Sequence, residues 1–137
     1  MSELTAYKMI ELMKGVVQSG TGIRLRSYYG FNNPIAGKTG TTQKQSDGYF
    51  MGITPDLTTG VWVGAEDRSV HFRSTQLGQG SHTALPIWAK YMRKVYNDKS
   101  LGISQGDFIK PNIPGLDLNF DCDRFDNDEV IEYIDEF

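Results

Sequence analysis

The stretch Pro34-Ile35-Ala36-Gly37-Lys38-Thr39-Gly40-Thr41-Thr42 gathers one cation, three hydroxyls and two glycines that let another backbone come close. Such a set suits an anion, because lysine supplies charge and threonine supplies a neutral hydrogen-bond donor. Gly37-Lys38-Thr39 is also how a phosphate-binding loop ends. That loop requires a glycine five residues before its Gly-Lys pair, and a helix starting at the lysine to hold the phosphates. Asn32 stands in the glycine's place, and Thr39-Gly40-Thr41-Thr42 leans to strand. No apolar strand ending in aspartate follows to hold magnesium. The phosphate-loop reading therefore fails. What remains is a strand lysine, either simply solvated or part of a larger pattern that its surroundings must reveal.

The elements that must position this lysine are legible from periodicity. Leu4, Tyr7, Ile10, Met13 and Val17 recur every three or four residues, a helical stripe that Ser19-Gly20 can stop. Residues 20–33 read as loop with a short strand at 23–26. Ile35 to Thr42 reads as a strand, QKQSD as a turn, and Gly48 to Thr54 as a second strand of period two. Pro55 to Gly60 is turn chemistry, and Val61-Trp62-Val63-Gly64 begins a third strand. Short links between the three runs imply an antiparallel meander. Residues 65–83 are polar and Gly-rich, hence loop. Leu85, Trp88, Tyr91, Met92 and Val95 then form one face of a second helix, entered through Pro86 and running to about Asn97. The fold class is α+β: an antiparallel sheet of three or four strands with flanking helices.

A length of 137 residues suits one domain. No apolar run reaches the roughly 18–20 residues that a bilayer span needs. Residues 117–137 hold nine acidic residues against Arg124 alone, a local balance of −8, while residues 1–116 carry +5. The basic residues are scattered rather than striped, so nucleic acid is not an expected partner. Cys122 is the single cysteine, which excludes an intrachain disulfide. Asp121-x-Asp123 with Glu132 superficially follows a calcium loop, but Asp126 occupies the position of the required glycine. A solvated acidic segment is the better reading. No cofactor is called for.

The strings AGKTGTT, DGYFMGITPDLTTGVWVG and GSHTALPIW, preceded by VVQSGTG, resemble the C-terminal part of the transpeptidase domain of class A (bifunctional) penicillin-binding proteins. The resemblance covers about residues 3–97, and residues 98–137 form an acidic extension without a family motif. It implies a fragment of the penicillin-binding and serine β-lactamase-like fold, from a parent working at the periplasmic face of a bacterial inner membrane. In that family a serine attacks the D-Ala-D-Ala end of a peptidoglycan stem peptide, and β-lactams trap the same serine. By resemblance, Lys38, Thr39 and Thr41 would bind the substrate carboxylate, and Gly40 would let its backbone lie along the strand. The Thr41 N–H would be half of an oxyanion hole, and Lys38 would share in catalysis. The Gly78–Thr83 loop lies where the family places a segment near the active-site mouth, which by resemblance would bring Gln79 or Ser81 within reach of substrate.

The partner motifs are missing. No serine here has lysine three residues on or asparagine two on, so neither the Ser-x-x-Lys nor the Ser-x-Asn set is present. The chain thus reads as a piece of a larger enzyme, inactive alone, with its third strand exposed along Val61 and Val63 and prone to self-association. The alternative is a non-catalytic binding or assembly module using the same fold and the acidic segment. His71 and His82 read as surface residues. Trp62 and Trp88 are both expected between the third strand and the second helix, and Tyr49 or Phe50 could shape a groove.

Overall fold

The structure, a computed structural model, describes residues 1–113. The terminal segment DEVIEYIDEF, Cys122 and the Asp121–Glu132 acidic pattern lie outside the described residues. Helix α1 (Glu3–Gln18) starts where the Ser2 side chain accepts from the Thr5 N–H at 3.2 Å, a standard N-cap, and buries Tyr7 and Val17. Helix α2 (Arg24–Ser27) is a single turn. It replaces the short strand expected at 23–26. The reason is tertiary: Arg26 donates from Nη1 to the carbonyls of Phe31 and Asn33 at 2.7 and 2.6 Å, folding the chain back on itself.

Strands β1 (Ala36–Thr41), β2 (Asp47–Ile53) and β3 (Thr58–Gly64) form one antiparallel sheet in the order β1-β2-β3. The third strand begins three residues earlier than the turn-rich sequence suggests, because Thr58 and Thr59 pair with Ile53 and Gly52. A one-turn helix, α3 (Thr75–Gly78), interrupts the long loop, and α4 (Ala84–Asn97) closes the fold over β2 and β3. Helix α1 lies against β1. Pro86 sits in the first turn of α4, where its absent N–H costs nothing.

The core is built on one contact. Trp88 of α4 is fully buried, with its ring edge-on to Phe50 at 5.3 Å and its indole Nε1 donating to Thr59 Oγ1 at 2.6 Å. The indole lies so close to β2 that a Cβ at Gly52 would stand 2.3 Å from it. Leu85, Ala89, Met92 and Val95 continue the buried face, together with Tyr96. Tyr91, expected there, is 46% exposed instead. It falls one position off the stripe that faces the sheet. Trp62 also departs from expectation: it is 52% exposed, on the sheet face opposite α4. Strand alternation explains this, since Val61 and Val63 take the helix side and Trp62 must point the other way.

Beyond α4, a short 3-10 turn (Lys99–Leu101) leads into chain without regular structure. Ile103 packs against the core, Asp56 accepts from the Ser104 N–H at 2.8 Å, and Lys14 reaches Asp107 at 3.3 Å.

Gly52→Ala should lower stability by about 1–3 kcal/mol through overpacking against Trp88. Trp88→Ala should cost about 3–5 kcal/mol. Urea denaturation followed by circular dichroism reads both, and a wild-type midpoint for Gly52→Ala would show that the indole has room to move.

Candidate functional site

The register decides which backbone groups of β1 are free. Thr42 N–H donates to the Asp47 carbonyl at 3.0 Å, so Thr42 turns its backbone toward the chain entering β2. Alternation then turns Gly40 and Lys38 inward as well, and turns Thr39 and Thr41 outward. β1 is an edge strand of the three-stranded sheet. The Thr41 N–H and the Thr39 carbonyl thus point out along its outer edge. Lys38 Nζ donates to that carbonyl at 2.8 Å, so the exposed amine curls round to the same rim.

The side chains divide between the two faces. Thr39 and Thr41 project with Phe50 and Gly48 on the α4 side, whereas Lys38 and Gly40 project with Met51 and Tyr49 on the other. Lysine and threonines therefore meet only at the edge, by the bending of the lysine stem. Thr39 Oγ1 shares a hydrogen bond of 2.7 Å with Thr21 Oγ1. Thr41 Oγ1 accepts from the Gly80 N–H at 3.1 Å, which leaves its own proton able to donate. Gly40 lies against Tyr49, whose side chain would touch an added Cβ at 3.1 Å. Of the two aromatics considered for a groove, Tyr49 is 41% exposed and Phe50 is wholly buried.

Three further contributors lie within the strings that carry the resemblance but were not read as site residues. Thr21 comes from the loop after α1. Gly80 comes from the loop before α4 and packs so tightly on the β1–β2 backbone that a Cβ there would meet the Tyr49 and Gly40 carbonyl oxygens. Asp47 lies just past the β1–β2 hairpin. The Trp62 indole and the Thr42 and Ser46 hydroxyls bond its carboxylate and hold its pKa below the usual 3.8, against the opposing effect of desolvation, and Arg68 adds charge. The glycine and the hydroxyl spacing were visible in sequence, but nothing local says that they converge on Lys38.

Gln79 and Ser81 flank Gly80 and make their hydrogen bonds elsewhere. Gln79 is a hydrogen-bond partner of His82, and Ser81 is buried, its carbonyl accepting from Arg24 at 3.2 Å. His71 contacts the Phe72 carbonyl at 3.0 Å. Neither histidine bonds a carboxylate among the described residues. Lys38 and Thr41 are exposed and Thr39 and Gly40 half-buried, so the four residues form an open wall. No helix of the described residues is long and apolar enough to cross a membrane. Thr21→Val should cost about 1 kcal/mol by removing the partner of the Thr39 hydroxyl. A urea midpoint indistinguishable from wild type would mean that water replaces Thr21 without loss.

No protein-family model matches the chain. Among known proteins it is similar to penicillin-binding protein 1A of Pseudomonas aeruginosa, 38% identical over 97 residues, which is 71% of this chain and 11% of that protein. The same protein of Neisseria gonorrhoeae is 40% identical over 88 residues, or 64% of this chain and 10% of the relative. That of Aquifex aeolicus is 38% identical over 89 residues, 63% of this chain and 11% of the relative. The crystal structure of penicillin-binding protein 1A from Haemophilus influenzae superposes with a TM-score of 0.66 at 24% identity, covering 84% of this chain and 17% of that one. It shows the shared fold. The chain spans about a tenth of the length of the curated relatives it matches. Its homologues are thus penicillin-binding protein 1A, and the chain corresponds to a small part of those longer proteins.

Proposed function

We propose that this chain is the carboxylate- and oxyanion-binding wall of a peptidoglycan D,D-transpeptidase, with the nucleophilic serine supplied by other residues of a longer protein. The observation that carries the reading is the rim of β1, where the Lys38 amine and the outward Thr41 N–H share one open edge. A stem peptide ending in D-Ala-D-Ala would lie along that edge as an added strand, its backbone passing the side-chain-free Gly40. Its terminal carboxylate would take charge from Lys38 and donors from the Thr39 and Thr41 hydroxyls. As the serine attacks, the carbonyl oxygen becomes an anion, and the Thr41 N–H would stabilise it. A donor of this kind contributes roughly 3–4 kcal/mol at a transition state. β-Lactams carry the same carboxylate and would use the same wall.

On this reading residues 1–97 belong to the transpeptidase domain, residues 98–137 are an extension, and the whole protein works outside the cytoplasm. Catalysis requires a Ser-x-x-Lys and a Ser-x-Asn, neither of which this sequence contains. The alternative of a non-catalytic module rests on an acidic segment outside the described residues.

A labelled penicillin incubated with the 137-residue chain should form no covalent adduct by mass spectrometry; a stoichiometric adduct would contradict the assignment. In a full-length protein carrying this segment, Lys38→Ala should slow acylation about 10- to 100-fold, the loss of one charged hydrogen bond of about 1.5–3 kcal/mol. An unchanged rate would remove Lys38 from substrate binding.

The opposite edge supports a second proposal, self-association. Thr54 N–H donates to the Leu57 carbonyl at 2.9 Å, which by alternation turns Gly60 and Trp62 outward along β3. β3 ends the sheet, and its outward N–H and C=O groups form a template for a second strand. Light scattering at micromolar concentration should give a dimer mass for the isolated chain; a monomer would overturn the proposal.

A further inference from the structure

The end of β1 is held by a single carboxylate. Asp47 and Thr42 face each other across the mouth of the β1–β2 hairpin and exchange three hydrogen bonds: Thr42 N–H to the Asp47 carbonyl at 3.0 Å, Asp47 N–H to Thr42 Oγ1 at 2.9 Å, and Thr42 Oγ1 to Asp47 Oδ2 at 2.9 Å. Ser46 Oγ donates to the same Oδ2 at 3.1 Å. The other oxygen, Oδ1, accepts from the Trp62 indole of β3 at 2.9 Å. One oxygen therefore serves the hairpin and the other serves β3, on the sheet face that α4 leaves uncovered. The contact needs Gly64 opposite Asp47, since a Cβ there would stand 2.6 Å from Oδ1 and 2.8 Å from the indole nitrogen.

The hairpin resists this arrangement. Lys44 and Gln45 both hold positive φ, 58° and 55°, a conformation that costs non-glycine residues free energy and persists only where surrounding contacts enforce it. The Asp47 bonds close the chain around those residues, and the Gln45 carbonyl accepts from the Phe72 N–H at 3.3 Å. The Thr42 N–H shares a rigid peptide plane with the Thr41 carbonyl, so the clamp fixes that plane directly. The Thr41 N–H belongs to the preceding Gly40–Thr41 plane, which the clamp restrains through the φ and ψ of Thr41 while the Gly40–Tyr49 pairing holds its other side.

We propose that Asp47 is a positioning residue: by clamping Thr42 it holds the end of β1 and so restrains, through the φ and ψ of Thr41, where the Thr41 N–H points, a role that rests on reading that N–H as the oxyanion donor. Such a donor must stand within about 0.5 Å of its productive place, and a free hairpin end does not provide that precision. Arg68, from the loop after β3, comes within 4.0 Å of Oδ2. Lys44 shares a cleft with Ser46 and Arg68, and His71 lines the neighbouring pocket with Ser46 and Gly64. Among the described residues, Arg68 is the charged side chain that acts on the carboxylate.

The test is a pH titration of the ¹⁵N-labelled 137-residue chain by nuclear magnetic resonance, without substrate. The Asp47 pKa is depressed, so its clamp is intact above the ordinary 3.8 and is lost as pH falls through the lower folded value. The Trp62 indole and the Thr41 amide should shift together with one midpoint below 3.8, while amides of α1 stay still until global unfolding. Asp47→Asn should abolish the shared titration and move the Thr41 resonance at pH 7. A Thr41 amide that ignores the Trp62 midpoint, or that is unmoved in Asp47→Asn, would overturn the proposal. If Asp47→Asn does not fold, Thr42→Val breaks the same clamp from the strand side, and an unmoved Thr41 amide there is equally fatal. Acylation by penicillin tests Lys38 separately, so failure of one reading is distinguishable from failure of the other.

Discussion

The seating of one indole on one glycine governs the geometry of this molecule. Trp88 cannot approach β2 unless position 52 lacks a side chain, and its Nε1 reaches Thr59 only at that close distance. With the indole in place, Phe50 packs against its ring and the faces of β2 and β3 that meet α4 are decided. Alternation then assigns every other residue of the sheet. Lys38, Tyr49, Met51 and Trp62 fall on the uncovered face because their neighbours were taken by the helix.

The same constraint produces the rim. A strand offers backbone donors to a ligand only if it lies at a sheet edge, and open edges invite unwanted pairing. Here the helices cover a face of the sheet and leave β1 and β3 as its two terminal strands. Along β1 the cost is managed by punctuation: a charged lysine, a glycine and small hydroxyl side chains, with Thr21 and Gly80 bonded to two of them. These features blunt an edge against pairing with another chain. The β3 edge carries Trp62 and two glycines and has less protection of that kind.

Much of the architecture was legible. The stripe of α1, the three strands and α4 each announce themselves through local periodicity, which side-chain geometry imposes on the elements themselves. The misreadings share a cause. The turn of α2 exists because Arg26 bonds carbonyls of residues 31 and 33, a contact with no periodic signature. Trp62 and Trp88 are equally apolar, so composition could not tell that one is buried and the other half exposed. Tyr91 looks like a member of the α4 stripe until the sheet beneath selects which positions face it.

By itself the sequence determined the chemistry on offer at residues 38–41: one basic side chain, hydroxyl donors, and a glycine where a backbone can pass. It determined the meander as well, since short links between strands leave little other topology. Only the tertiary structure decided that the Thr41 N–H faces out and that the Lys38 amine bends to the same edge. Which groups point outward depends on strand register, and register is set by pairing with Asp47, by the Trp88 contact and by the loop carrying Gly80. Those partners lie between six and forty-seven residues along the chain from Thr41, beyond the reach of any local pattern.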